Sequence, residues 1–170
     1  MSPLKRTWAP RGETPTIWTS VEHNDRLNLI GGLCLTPGAR KLKLSVRSYW
    51  DRVTGEQVVD FLKHLLTRVP GPMVLLWDRH PIHKRKVVKD FLSRHPRLRV
   101  EWFPTAAPEL NPTEGVWTQV SEYTASTAPH SKIELQGYVM AGVARTRRSQ
   151  QRLWACLFGS DLPWRRKCGH

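Results

Sequence analysis

Residues 73–78 read Met-Val-Leu-Leu-Trp-Asp, set between the turn Pro70-Gly71-Pro72 and a polar cluster that opens at Arg79. An unbroken apolar run of strand length, bounded by turn residues, predicts a central strand covered on both faces, with Asp78 at its carboxyl end. Downstream, Val87, Val88, Phe91 and Leu92 mark the inner face of a helix over about 83–93, and a short strand follows at 98–103. The Pro-rich stretch 104–112 then leads into a helix that Asn111 can cap and Pro112 can open. A last helix, or pair of helices, is expected over 131–158. Upstream, Thr54 and Gln57 stand at capping-box spacing ahead of Val58, Phe61, Leu62, Leu65, Leu66 and Val69, which share one helical face. Before that, the apolar run 27–35 and the alternating run 41–46 flank Pro37 and Gly38, the pattern of a β-hairpin. Residues 1–25 read as an extended lead-in. Hairpin, helix, strand, helix, strand and further helices describe an α/β domain with a mixed sheet.

The charge balance points to a polyanion. With 27 Lys and Arg against 14 Asp and Glu, the formal net charge is +13, a self-repulsion that a nucleic-acid partner relieves. Neither a signal peptide nor an apolar stretch of membrane-spanning length is visible, which predicts a cytosolic protein without a membrane partner. Three cysteines, Cys34, Cys156 and Cys168, form no close pair and suggest neither a disulfide framework nor a zinc ribbon. Cys156, Cys168 and His170 are a weak metal signal. Gly31-Gly32 with its neighbours lacks the Lys-Ser/Thr ending of a phosphate loop and sits in a hairpin. Of eight tryptophans, Trp18, Trp50, Trp77 and Trp154 lie in or beside apolar runs and read as core.

Two carboxylates sit where chemistry collects. In open α/β sheets ligands gather beyond the carboxyl ends of strands, which is where Asp78 emerges. Glu114 follows 36 residues later, on the first turn of the helix begun at Pro112. Hard oxygen ligands of this kind suit magnesium or manganese, and paired ions serve enzymes that cut and rejoin phosphodiesters. Each residue also has a plain reading: Asp78 as a turn former, and Glu114 as the far partner of an Asn-x-x-Glu capping box. Between Arg79 and Arg99 stand eight basic residues against one acid, Asp90. Beside a metal-carboxylate centre such a patch would hold a phosphate backbone; alone it is a solvated face. Arg145, Arg147, Arg148 and Arg152 form a second basic cluster on the last helix.

Residues 75–84, LLWDRHPIHK, and 103–117, FPTAAPELNPTEGVW, resemble the two motif blocks of the mariner-like superfamily of DDE transposases, particularly its bacterial insertion-sequence branch. Residues 6–15 resemble the segment after that family's first acidic residue, so the likeness runs from 6 to about 125. It implies a ribonuclease-H-like mixed sheet flanked by helices, with Asp78 and Glu114 as second and third members of a metal-binding triad. It further implies two magnesium or manganese ions in the complete site, and double-stranded DNA, both transposon ends and target, as substrate. A homodimer in a synaptic complex and a bacterial, nucleoid-associated setting follow from the same likeness. Arg79, His83, Lys84, Arg85 and Lys86 are the expected DNA contacts, His83 matching a family histidine that can touch the scissile phosphate. Trp117, one turn past Glu114, is placed to brace that ligand.

The chain departs from the family pattern at Arg79, Ala106 and Ser121, where Asn or Gly, Tyr and Lys are common. A larger departure concerns the first Asp, which the resemblance puts upstream of Arg6. Residues 1–158 are therefore expected to form a partial catalytic domain lacking its first, central strand, with 159–170 as a basic tail. Asp25 and Asp51 read as turn residues. The chain alone is expected to be inactive and poorly stable; a basic, non-catalytic DNA-binding remnant is the alternative.

Overall fold

The computed structural model describes residues 26–35 and 41–163. The lead-in, the hairpin turn, Trp18, Asp25, Cys168 and His170 lie outside the described residues. Strands β1 (Asn28–Leu35) and β2 (Leu42–Tyr49) pair antiparallel from Asn28↔Tyr49 to Leu35↔Leu42. Helix α1 (Gly55–Arg68) begins at Thr54 with the full capping box, the Gln57 side chain returning to the Thr54 amide at 2.9 Å. Strand β3 (Met73–Trp77) pairs parallel with β4 (Leu98–Trp102). The crossover between them holds a short 3-10 turn, Pro81–Lys84, and helix α2 (Lys86–Ser93). Helices α3 (Pro112–Thr124), α4 (Lys132–Arg148) and α5 (Gln150–Phe158) complete the chain. The α/β class holds, with antiparallel and parallel pairing distributed over two two-stranded ladders.

Two expectations need adjustment. The helix expected from 83 is divided, because Arg85 takes an extended backbone (φ −60°, ψ 145°) and α2 starts after it. Of the two forms open for the last helical segment, the pair is the one found, broken at Ser149, whose side chain caps α5 through the Arg152 amide. Most important, β3 is covered on one face only. Met73, Leu75 and Trp77 pack against α1 and α2, whereas Val74 is 62% and Leu76 47% exposed. The three C-terminal helices pack on the hairpin.

Two cores result. One joins Val58, Val59 and Leu62 of α1 with Val88 and Phe91 of α2 and Leu98 of β4. The other joins Leu42, Leu44 and Val46 of β2 with Val116, Val120, Val143, Leu153, Cys156 and Leu157. Strand β1 serves both through its pleat: Leu29, Leu33 and Leu35 point to the second core and Ile30 to the first. The close approach of α3 to β1 depends on Gly31, where an added methyl would stand 2.6 Å from the Trp117 indole. Gln150 docks α5 on β2 by both accepting from the Leu42 amide (2.8 Å) and donating to its carbonyl (2.9 Å).

Candidate active site

Asp78 directly follows the last residue of β3, and its side chain is 56% exposed. The residues after it fold back over the strand end. The His80 amide donates to Asp78 Oδ1 at 3.1 Å, an Asx-type turn, and Pro81 opens the 3-10 turn that returns His83 to the same oxygen. His83 Nε2 lies 3.0 Å from Asp78 Oδ1, and the imidazole stacks on Trp77 with ring centres 4.1 Å apart and planes 16° from parallel. A carboxylate oxygen only accepts, so the shared proton sits on Nε2. Nδ1 is buried without a partner among the described residues. Burial lowers the His83 pKa, partly offset by the Asp78 charge; protonating the ring would add a second, unpaired N–H in the buried position.

Glu114 lies on the first turn of α3, which forms where it was expected: Asn111 caps it by accepting from the Thr113 amide at 3.1 Å, and Pro112 opens it. The Glu114 side chain is exposed and makes no hydrogen bond among the described residues, so the capping-box role is not taken up there. Beside it runs a shallow cleft of about 160 Å3 lined by Glu109, Asn111, Glu114, Cys156 and Ser160. Its walls come from the 3-10 turn Pro108–Leu110 and the end of α5, tied together by the Asp161 amide donating to the Glu109 carbonyl at 2.9 Å. Gly115 permits this approach, since a methyl there would meet Cys156 at 3.2 Å. That contribution of α5 escaped sequence reading; a glycine one residue after the candidate ligand is its only local signal. Burial pushes the Cys156 thiol up, as in an inert packing cysteine. Ala106, in the loop between the two carboxylates, takes a left-handed backbone with φ 55°.

The structure thus brings Asp78 together with His83, and gives Glu114 a separate support. No cluster of three or more His, Cys, Asp or Glu able to hold a metal occurs among the described residues. The chemistry of the two carboxylates still fits a hard dication: both are exposed, both described contacts of Asp78 fall on Oδ1, and the described cysteines near them offer only the packed Cys156.

The basic patch resolves into distinct tasks. Lys84, Arg85, Lys86 and Lys89 are exposed around the 3-10 turn and α2. Arg79 lies across the strand ends, its Nε donating to the Phe103 carbonyl at 3.0 Å. Three others are engaged within the fold: Arg94 with the Asp90 carbonyl, Arg99 with Glu101, and Arg97 with carbonyls at the end of α1. On the far side, Arg147 donates to the Leu44 carbonyl at 3.0 Å and Arg145 lies 5.5 Å from the Tyr123 ring centre. Trp117, expected behind Glu114, packs on β1 at Gly31. No described helix is long and apolar enough to cross a membrane.

Among solved structures, the catalytic domain of Mos1 mariner transposase resembles the chain with a TM-score of 0.47 and 12% identity, over 81% of this chain and 84% of that one. The Mos1 strand transfer complex gives 0.48 and 14%, over 95% of this chain and 51% of that one. A simian T-cell lymphotropic virus intasome in complex with a PP2A regulatory subunit gives 0.45 and 12%, over 84% and 59%. The chain therefore spans little more than half of those last two longer chains. No curated protein matches. The model of the DDE superfamily endonuclease family matches residues 1–136. With four-fifths of its length matched by that one family, the chain belongs to the DDE superfamily endonucleases.

Proposed function

We propose that this chain is part of a transposase catalytic domain that cleaves transposon-end DNA and joins it to target DNA. The observation that carries this reading is the exposed Asp78 carboxylate at the carboxyl end of a parallel strand, held by its own downstream turn, in a chain of the DDE endonuclease family. Asp78 and Glu114 would hold magnesium or manganese, two ions in the complete site. Bound there, the metal supplies an activated water or 3′-hydroxyl and charge at the leaving oxygen. The remaining work falls to the chain. Lys84, Arg85 and Lys86, with the free end of the Arg79 guanidinium, grip the phosphate backbone beside Asp78. His83, whose Nε2 already faces Asp78, is better placed to act on that carboxylate than on a phosphate. The open face of β3 at Val74 and Leu76 fits a fold in which a further layer covers the sheet, and the two separate ladders fit one in which a further strand joins them. Pairing of two such domains on two DNA ends, in a bacterial nucleoid, belongs to the same proposal.

A second reading is favoured by one observation, the lack of a three-ligand cluster among the described residues: a basic DNA-binding remnant without chemistry. Titration of residues 1–170 with Mn2+ tests the ligands. The expected result is binding that Asp78→Asn or Glu114→Gln weakens at least tenfold, because a neutral amide is a poor donor to a hard dication. Unaltered binding in either variant removes that residue from the site. Nicking of supercoiled DNA that requires Mn2+ and both carboxylates excludes the remnant.

A further inference from the structure

We propose that His83 is a positioning residue for Asp78: its Nε2–H fixes the rotation of the carboxylate before a divalent cation arrives. The inference rests on the reading of Asp78 as a ligand. A carboxylate that is half exposed turns freely about its last torsion, a broad and roughly two-fold well. At Asp78 that freedom is removed by two donors on one oxygen, the His80 amide at 3.1 Å and His83 Nε2 at 3.0 Å. The second donor is itself well anchored. Its side chain is only 14% exposed against 56% for Asp78, its ring lies flat on Trp77, and its backbone amide donates to the His80 carbonyl at 3.1 Å. The other ring nitrogen is buried without a partner among the described residues, so the imidazole has one outlet and Asp78 occupies it. An oriented donor behind a metal-binding carboxylate acts on affinity and ligand geometry, and its removal typically weakens metal binding 10- to 100-fold.

His83→Phe keeps an aromatic ring against Trp77 but deletes the donor; His83→Gln restores an N–H near the Nε2 position and gives up the ring. Mn2+ affinity is measured calorimetrically on residues 1–170 of the wild type, both variants and Asp78→Ala, with DNA affinity and thermal unfolding in parallel. His83→Phe is expected to weaken Mn2+ binding 10- to 100-fold, and His83→Gln to bring it back to within about threefold of wild type. Long-range 1H–15N spectra of the metal-free wild type should show His83 with its proton on Nε2, a preference lost in Asp78→Ala; this readout stands even if His83→Phe fails to fold. Equal weakening in both His83 variants would reduce the ring to packing and overturn the proposal, as would a proton on Nδ1. So would lost DNA affinity with Mn2+ binding unchanged, which would assign His83 to a phosphate. Mn2+ binding that Asp78→Ala abolishes but His83→Phe leaves intact sinks this inference alone. Mn2+ binding indifferent to Asp78→Ala, or absent from the wild type, sinks the ligand reading beneath it.

Discussion

Arg97 Nη1 donates to the Val69 carbonyl at 2.8 Å, and so closes the end of α1 from a segment 28 residues further along the chain. The same nitrogen reaches the Gly71 carbonyl at 2.9 Å, and Nη2 takes the Leu66 carbonyl. A guanidinium at a helix C-terminus satisfies carbonyls that have no partner inside the helix and complements the helix dipole. Arg97→Met is expected to lower unfolding free energy by about 2–4 kcal/mol, since bonds to a charged donor contribute about 1.5–3 kcal/mol and three acceptors are left open. A shift in urea midpoint checks this, and DNA affinity at a given salt should not move.

The converse holds for Lys84, Arg85 and Lys86, which are exposed beside Asp78. Reversing all three to Glu should leave the urea midpoint nearly unchanged and flatten the dependence of log binding constant on log salt by about 2–3, given about 0.9 per phosphate released. A slope that stays where it was would move the DNA to Arg145, Arg147 and Arg148.

This contrast shows what the sequence made legible. Thr54 and Gln57 announce α1 because a capping box is written within four residues, and the strand just before Asp78 is visible as an apolar run between turn signals. Asn111 and Pro112 likewise marked the start of the helix that carries Glu114. The eight cations from Arg79 to Arg99, by contrast, look alike in sequence. Only the fold separates Arg97, whose acceptors lie 26 to 31 residues away, from Lys84, which has no such partner to find among the described residues. The half-covered state of β3 was equally hidden. An apolar run reads the same whether one face is packed or both, since coverage depends on where distant helices dock.

His64 gives a pH dependence with a defined sign. Its ring is partly buried and its Nδ1 faces Arg47 Nη2 at 3.3 Å, an arrangement in which only the neutral ring can accept. Burial first, and then the charges of Arg47 and Arg68, lower its pKa. A histidine depressed in the folded state binds its proton more readily when unfolded, so its contribution is complete above about pH 6.5 and is lost as pH falls through the folded value. The difference in urea midpoint between wild type and His64→Gln should therefore shrink or reverse from pH 7.5 to 5.5. A difference constant over that range would contradict the assignment.

Gly31→Ala should cost about 1–3 kcal/mol, the usual range for forcing a methyl group into a filled contact, because the new carbon falls 2.6 and 2.9 Å from two atoms of the Trp117 indole. Combining it with Trp117→Leu should cost less than the sum of the two single changes, and a double-mutant cycle measures the coupling. Simple additivity would mean that the indole leaves β1 at no cost.

That contact has a reach beyond stability. Asp78 follows a strand that belongs to the core of α1 and α2, while Glu114 rides on a helix that belongs to the core of α3, α4 and α5, and β1 contributes side chains to both. Gly31, without a side chain of its own, lets α3 close on β1, so a change there would reach the helix that carries Glu114 without altering an atom of either acid.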